Sequence, residues 1–205
     1  SALAEIGYNE VEFAGYHGHS AAEISAMLKA TGLSAPSAHL SLEVFEHQFD
    51  AVLEAAHAVG HKYLVLAWLQ EKDRTLERYK FIFEMLNEAG EKARAAGIQV
   101  AYHNHDFEFE TVDGVTPYDL LLSRTDPQLV QLQLDLYWLA VAGQDPLEII
   151  GRNPGRVPLL HLKDRNAAGK MADFGTGTID FSSILKASGQ AGVKHFFIER
   201  DDAAK

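Results

Sequence analysis

Seven short β-branched or aromatic runs alternate with amphipathic stretches along these 205 residues, and that alternation narrows the fold more than any other feature. The runs are YNEVEF (8–13), APSAHLSL (35–42), KYLVLAWL (62–69), IQVAYHNH (98–105), VQLQLDLYW (130–138), VPLLHLKD (157–164) and KHFFIER (194–200). Between them lie helical patterns with apolar residues at i, i+3, i+4 spacing. SAAEISAMLKATG opens on a Ser cap and closes at Gly32, HQFDAVLEAAHAVG closes at Gly60, and RTLERYKFIFEMLNEAGEKARAAG closes at Gly97. TPYDLLLSR, DPLEIIGR and DFSSILKASGQAG follow. So regular an alternation implies βαβ units on a parallel sheet, wound by right-handed crossovers into a barrel or an open doubly wound sheet.

The faces of the strands choose between the two. Along 130–138, Gln131, Gln133, Asp135 and Tyr137 share one face, and Val130, Leu132, Leu134 and Leu136 share the other. His161 and Lys163 lie on one face of their run, and His195, Phe197 and Glu199 on one face of theirs. An open parallel sheet, covered on both sides, reads as near-continuous apolar runs. Polar groups gathered toward the C-terminal ends of one face instead predict a TIM-type (β/α)8 barrel with a site at its C-terminal mouth.

No repeat, low-complexity segment or linker divides the sequence, so residues 1–205 read as a single domain. Ser1 rather than Met opens the chain, inside what reads as the end of a helix, so further sequence is expected upstream. There is no cysteine, hence no disulfide or thiolate site, which fits a reducing, cytoplasmic location. No apolar run approaches the roughly 18 residues of a membrane span. The net charge of −11 repels phosphate backbones, which argues against nucleic acid as a partner.

Parallel strands would deliver Glu12, His39, Trp68 with Gln70, His103, His105, Asp135, His161 with Lys163, and Glu199 to one rim. Carboxylates and imidazoles are the ligand types that suit Mn²⁺, Co²⁺, Zn²⁺ or Mg²⁺. Asp135, set between leucines, is costly in a barrel interior unless it is paired or metal-bound. His161 and Glu199 are the same kind of exception on the following strands. A lone strand histidine such as His39 reads better as a hydrogen-bonded or substrate-contacting group than as a ligand. His195 reads as structural, and His17, His19, His47, His57 and His61 as solvated or helix-capping groups. The glycine-rich DFGTGTIDF (173–181) lacks the Lys and spacing of a phosphate loop and reads as a rim turn, with Asp180 capping the last helix.

YHNHDFEF, LDLYWLAVAGQDP, GRVPLLHLKD, GTGTIDFSSIL and FFIERD, together with IGYNEVEFAG and SAHLSLE, resemble the sugar phosphate isomerase/epimerase family of xylose-isomerase-like TIM barrels. The resemblance runs over essentially the whole chain. It implies a divalent metal held by Glu, Asp, His and Glu, of which Asp135, His161 and Glu199 match the last three. Lys163 would sit beside the substrate, with Glu12, His39 and Trp68 lining its pocket. The slot of the first ligand falls on His103, leaving His105 as a candidate general base. The family's first strand and last helix have no counterpart here, and the two sheet edges so exposed suggest a homo-oligomer that covers them.

What the resemblance implies is a metal-dependent isomerase or epimerase of a sugar or polyol. A base, Glu199 or His105, would remove the proton next to a carbonyl, while Lys163 or the metal stabilises the enediolate oxygen. The alternative expels a β-substituent after the same first step, making a lyase or dehydratase for a 3-keto sugar or an inosose-like ring. An apurinic endonuclease of the same fold fits the acidic charge poorly.

Overall fold

The structure, a computed structural model, describes residues 1–203. They fall into two compact units, one of Ser1–Tyr102 with Leu121–Val130, the other of His103–Leu120 with 131–203.

The first unit carries α1 (Ala2–Ile6), β1 (Glu10–Phe13), α2 (Ala21–Thr31), β2 (Ser34–Leu40), α3 (Leu42–His47), α4 (Phe49–Val59), β3 (Tyr63–Leu66) and α5 (Leu76–Ala95). It also carries β4 (Gln99–His103) up to Tyr102. β1, β2, β3 and β4 pair in parallel in that order, with Glu12 opposite Ser37, Ser37 opposite Tyr63 and Tyr63 opposite Gln99. Ser20 starts α2 with a reciprocal capping box to Glu23, and Gly32 ends it at φ 71°, a left-handed turn that glycine adopts freely. The run 35–42 is strand only to Leu40, because Ser41 caps α3 by accepting from Val44 N.

Ile24 and Leu28 of α2 pack on Ala35 of β2, with Val11, Phe13, Tyr16, Leu33 and Val59 around them. On α5, Tyr79, Ile82, Phe83 and Leu86 are fully buried. Gly90 of the same helix sits so close to Leu129 that a Cβ would meet the Leu129 carbonyl oxygen at 2.7 Å. His61 corrects an expectation. Rather than solvated, it is buried, its Nδ1 2.6 Å from Ala35 O and its Nε2 2.8 Å from Tyr16 Oη. Burial lowers its pKa from 6.5.

The second unit holds β5 (Val130–Asp135) from Gln131 on, α7 (Leu136–Val141), α8 (Pro146–Arg152), β6 (Leu159–Leu162), α9 (Phe181–Ala191) and β9 (His195–Ile198). Helix α6 (Pro117–Arg124) precedes β5. β5 pairs in parallel with β6, and β6 with β9. The run 130–138 is not strand throughout. It turns to helix after Asp135, whose Oδ1 accepts from Trp138 N at 3.0 Å and so caps α7.

A short antiparallel pair, β7 (Asp164–Arg165) and β8 (Met171–Ala172), follows β6. Beyond it, the carboxylate of Asp164 gathers the loop to α9. It accepts from Gly175 N (3.0 Å), Gly177 N (2.8 Å), Ile179 N (3.4 Å) and Arg165 N (2.7 Å). A Cβ at Gly177 would overlap that carboxylate. Asp180 caps α9 through Ser183 N, as its position in the sequence predicts. No helix of the described residues is long and apolar enough to cross a membrane.

Candidate metal centre

Strand register assembles the centre. Asp135, the last residue of β5, stands opposite His161 of β6, and His161 stands opposite Phe197 of β9. Glu199 follows Phe197 by two residues, one pleat further out on the same face. Ligand atoms of Asp135, His161 and Glu199 consequently lie within 4.8 Å of one another.

Asp135 is 0% exposed. Its Oδ1 is committed to Trp138 N, and Asn104 Oδ1 accepts from its backbone N at 3.1 Å. Its Oδ2 makes no hydrogen bond of good geometry and has Lys163 Nζ at 3.1 Å and His103 Nε2 at 3.7 Å. Burial raises the pKa of this carboxyl, and the charges of Lys163 and His161 act against that rise. A buried carboxylate oxygen without a proper donor, beside an imidazole and a second carboxylate, is a donor set that fits a divalent cation.

His103, the last residue of β4, has Nδ1 2.9 Å from Gln133 Oε1, an arrangement that turns Nε2 toward Asp135. Its ring lies 4.7 Å from that of His161 and 4.9 Å from that of His105. His105 stacks on Phe107 at 5.4 Å and lies 5.3 Å from the Trp138 ring. Glu108, three residues past His105, is fully buried. Its Oε2 accepts from His105 N at 2.7 Å and ties the His-Asn-His turn together.

Lys163 lies just past β6, buried among carboxylates. Its Nζ is 2.9 Å from Glu199 Oε2, 2.9 Å from Asp201 Oδ1 and 3.1 Å from Asp135 Oδ2. Desolvation would lower its pKa, but Asp135 and Glu199 outweigh that and raise it. Glu199 is also partly desolvated, which works upward. The His161 Nδ1 contact at 2.7 Å and the Lys163 charge prevail and hold its carboxyl at about 2.

The second unit thus brings together His103, His105, Asp135, His161, Lys163 and Glu199. Glu12, His39 and Trp68 belong to the first unit. There Glu12 Oε2 lies 3.0 Å from His39 Nε2, and His39 and Trp68 line a cavity of about 740 Å³ with Gln70, Asp73 and Arg78. Trp68 is 47% exposed, with the Arg74 guanidinium 4.8 Å above its ring.

Gln133, Asn104 and Asp201 escape a reading of the sequence. Gln133 does share a face with Asp135, and that alternation is the one signal that could have found it. Asp201, in a charged run past the last strand, carries no such signal.

Residues 1–202 match the family model described as xylose isomerase-like TIM barrel. The chain belongs to the xylose isomerase-like TIM-barrel family. The barrel fold and the resemblance seen in the motifs stand with it. Within the family, a sugar phosphate isomerase/epimerase from Parabacteroides distasonis superposes with a TM-score of 0.85 at 27% identity, over 99% of this chain and 83% of that one. An inosose dehydratase from Lacticaseibacillus casei is 29% identical over 205 residues, 82% of this chain and 68% of the relative. One from Geobacillus thermodenitrificans is 28% identical over 151 residues, 63% of this chain and 50% of the relative. The chain therefore spans between half and about two thirds of the length of these curated relatives.

Proposed function

We propose that this chain carries the site of a divalent-metal-dependent dehydratase acting on a polyhydroxylated cyclic ketone of the inosose type. The observation that carries the reading is the set of Asp135, His161 and Glu199 ligand atoms within 4.8 Å, with Lys163 buried beside them. The inosose dehydratases among the relatives favour loss of water over isomerisation, which reverses the order in which the motifs alone rank the two outcomes. His103, standing where the isomerase pattern has a glutamate, points the same way.

Asp135, His161 and Glu199 would hold the cation, with His103 as a fourth ligand. When bound, the cation supplies Lewis acidity to a carbonyl or hydroxyl oxygen and acidifies the neighbouring C–H. Glu199 is already engaged by His161 and Lys163 and would serve as a ligand, so the base falls to His105. His105 takes the proton next to the carbonyl, and Lys163 steadies the oxygen that gains charge. The β-hydroxyl then leaves with a proton returned by the protonated His105, so one water is lost and an enone is formed. We place the protein in the cytoplasm, in carbohydrate metabolism, with a homo-oligomer as its working form.

The test is to incubate the Mn²⁺-, Co²⁺- or Zn²⁺-supplied protein with an inosose in D₂O and follow ultraviolet absorbance and NMR. Enone formation supports the dehydratase. Deuterium uptake at the carbon next to the carbonyl without loss of water would instead support the isomerase or epimerase. Neither outcome, with all three metals, sinks both readings.

A further inference from the structure

The Asp135 and Glu199 carboxylates are claimed twice. They are two of the three groups that could hold a cation, and their Oδ2 and Oε2 are also two of the three oxygens around the Lys163 ammonium. Asp135 has no spare oxygen, because its Oδ1 caps α7. Glu199 Oε2 already carries His161 Nδ1 as well as Lys163 Nζ. A divalent ion and an ammonium repel one another, so the two cannot share these oxygens without loss.

The third oxygen differs. Asp201 lies past the end of β9, its side chain 45% exposed, and stands outside the ligand cluster. It nevertheless reaches Lys163 Nζ at 2.9 Å, as closely as Glu199 does. Lys163 is buried, with its ammonium enclosed by these three carboxylates. Its long, flexible stem does allow a short swing among them.

We propose that Asp201 retains the Lys163 ammonium when a divalent cation takes the Asp135 and Glu199 oxygens, so that Lys163 and Asp201 jointly set the cation affinity of the site. The inference rests on the metal reading above. Lys163 acts as an internal competitor that fills the site with one positive charge when no metal is present. Asp201 is a positioning residue that gives this competitor somewhere to go. It contributes to the metal-free state, where Lys163 has two other carboxylate partners, and contributes more to the loaded state, where it is the partner that remains. The pair therefore also keeps a cationic donor beside the substrate oxygens after loading.

The test is a double-mutant cycle on metal affinity, read by isothermal titration calorimetry with Zn²⁺ alone and Mn²⁺ alone, in the parent chain, Asp201→Asn, Lys163→Met and the double variant. Lys163→Met removes the competitor and is expected to tighten binding by about tenfold, a change of ~1.4 kcal/mol. Asp201→Asn is expected to weaken binding several-fold in the parent and to change it by less than about twofold in the Lys163→Met background, a coupling of the size seen for residues in contact. Equal weakening in both backgrounds would mean that Asp201 acts only as a distant negative charge, and would overturn the inference. So would unchanged or weaker binding in Lys163→Met. Should Lys163→Met lose its fold by circular dichroism, Lys163→Gln takes its place in the cycle with the same expectations. A parent chain that binds neither ion overturns the metal reading itself and this inference with it, whereas binding with an additive cycle overturns the inference alone.

Discussion

At the scale of single residues, the centre depends on side chains that each hold one job for another. Gln133 fixes His103 by a 2.9 Å contact to Nδ1. Such outer partners of metal-ligating histidines cost roughly 10- to 100-fold in metal affinity when removed. Gln133→Leu is therefore expected to weaken Zn²⁺ binding by about that factor while the circular dichroism spectrum stays that of the parent. On the proposed ligation Asp135→Asn goes further, because it replaces the buried carboxylate charge with a neutral amide. Its expected loss exceeds about 100-fold in metal affinity, beyond the range of an outer partner, and elemental analysis of the purified variant should find little metal. His105→Gln is expected to behave differently, keeping metal while losing solvent proton exchange with the substrate. Retained exchange in that variant would move the base elsewhere.

At the scale of elements, two close approaches make specific demands. Gly90 lets α5 lie against the Leu129 backbone. Alanine there would gain about 1 kcal/mol of helix propensity but force a repacking that typically costs 1–3 kcal/mol. Gly90→Ala is thus expected to lower the urea midpoint, and a raised midpoint would show that the helix can shift freely. His61 links β2 to the segment after β1 in its neutral form. Because burial depresses its folded pKa below 6.5, the unfolded chain takes up a proton first as pH falls. The stability His61 contributes is whole above pH 6.5 and declines as pH falls through the folded value. The melting temperature should therefore drop between pH 7.5 and 5.5, and His61→Gln should drop less over the same interval.

Legibility also divides at this scale. Asp135 and His161 were readable as a cluster because a polar group between leucines on a strand needs a reason, and Glu199 because it continues the face of His195 and Phe197 just past β9. The start of α7 was not, because Tyr137 and Trp138 favour strand by type and the Asp135 cap that opens the helix reads in sequence as one more polar strand residue. Asp201 and the Asp164 clamp were unreadable because a carboxylate that binds backbone or a distant lysine looks, in sequence, like any surface acid. His61 was misjudged because its partners come from residues 26 and 45 positions away.

At the scale of the whole molecule, family membership fixes the barrel, and charge narrows what such a barrel meets. A net charge of −11 disfavours duplex DNA, whose affinity for proteins rests largely on neutralised phosphates. No retardation of duplex DNA carrying an abasic site is expected in a gel-shift assay even at low salt, and clear retardation would reopen the endonuclease reading. The motifs ran from the first strand to the last, which is why the family was legible. Which of the two chemistries the chain performs was not, because isomerisation and dehydration share their first proton transfer and draw on the same residue types.

One consequence follows from the cap at the head of α7. Because Asp135 spends one oxygen on Trp138 N, its rotamer is settled when that helix forms, before any cation arrives. Ordering of this ligand is thus charged to folding and not to association. Metal uptake should then leave the chain's heat capacity almost unchanged, since scarcely any apolar surface is left to bury.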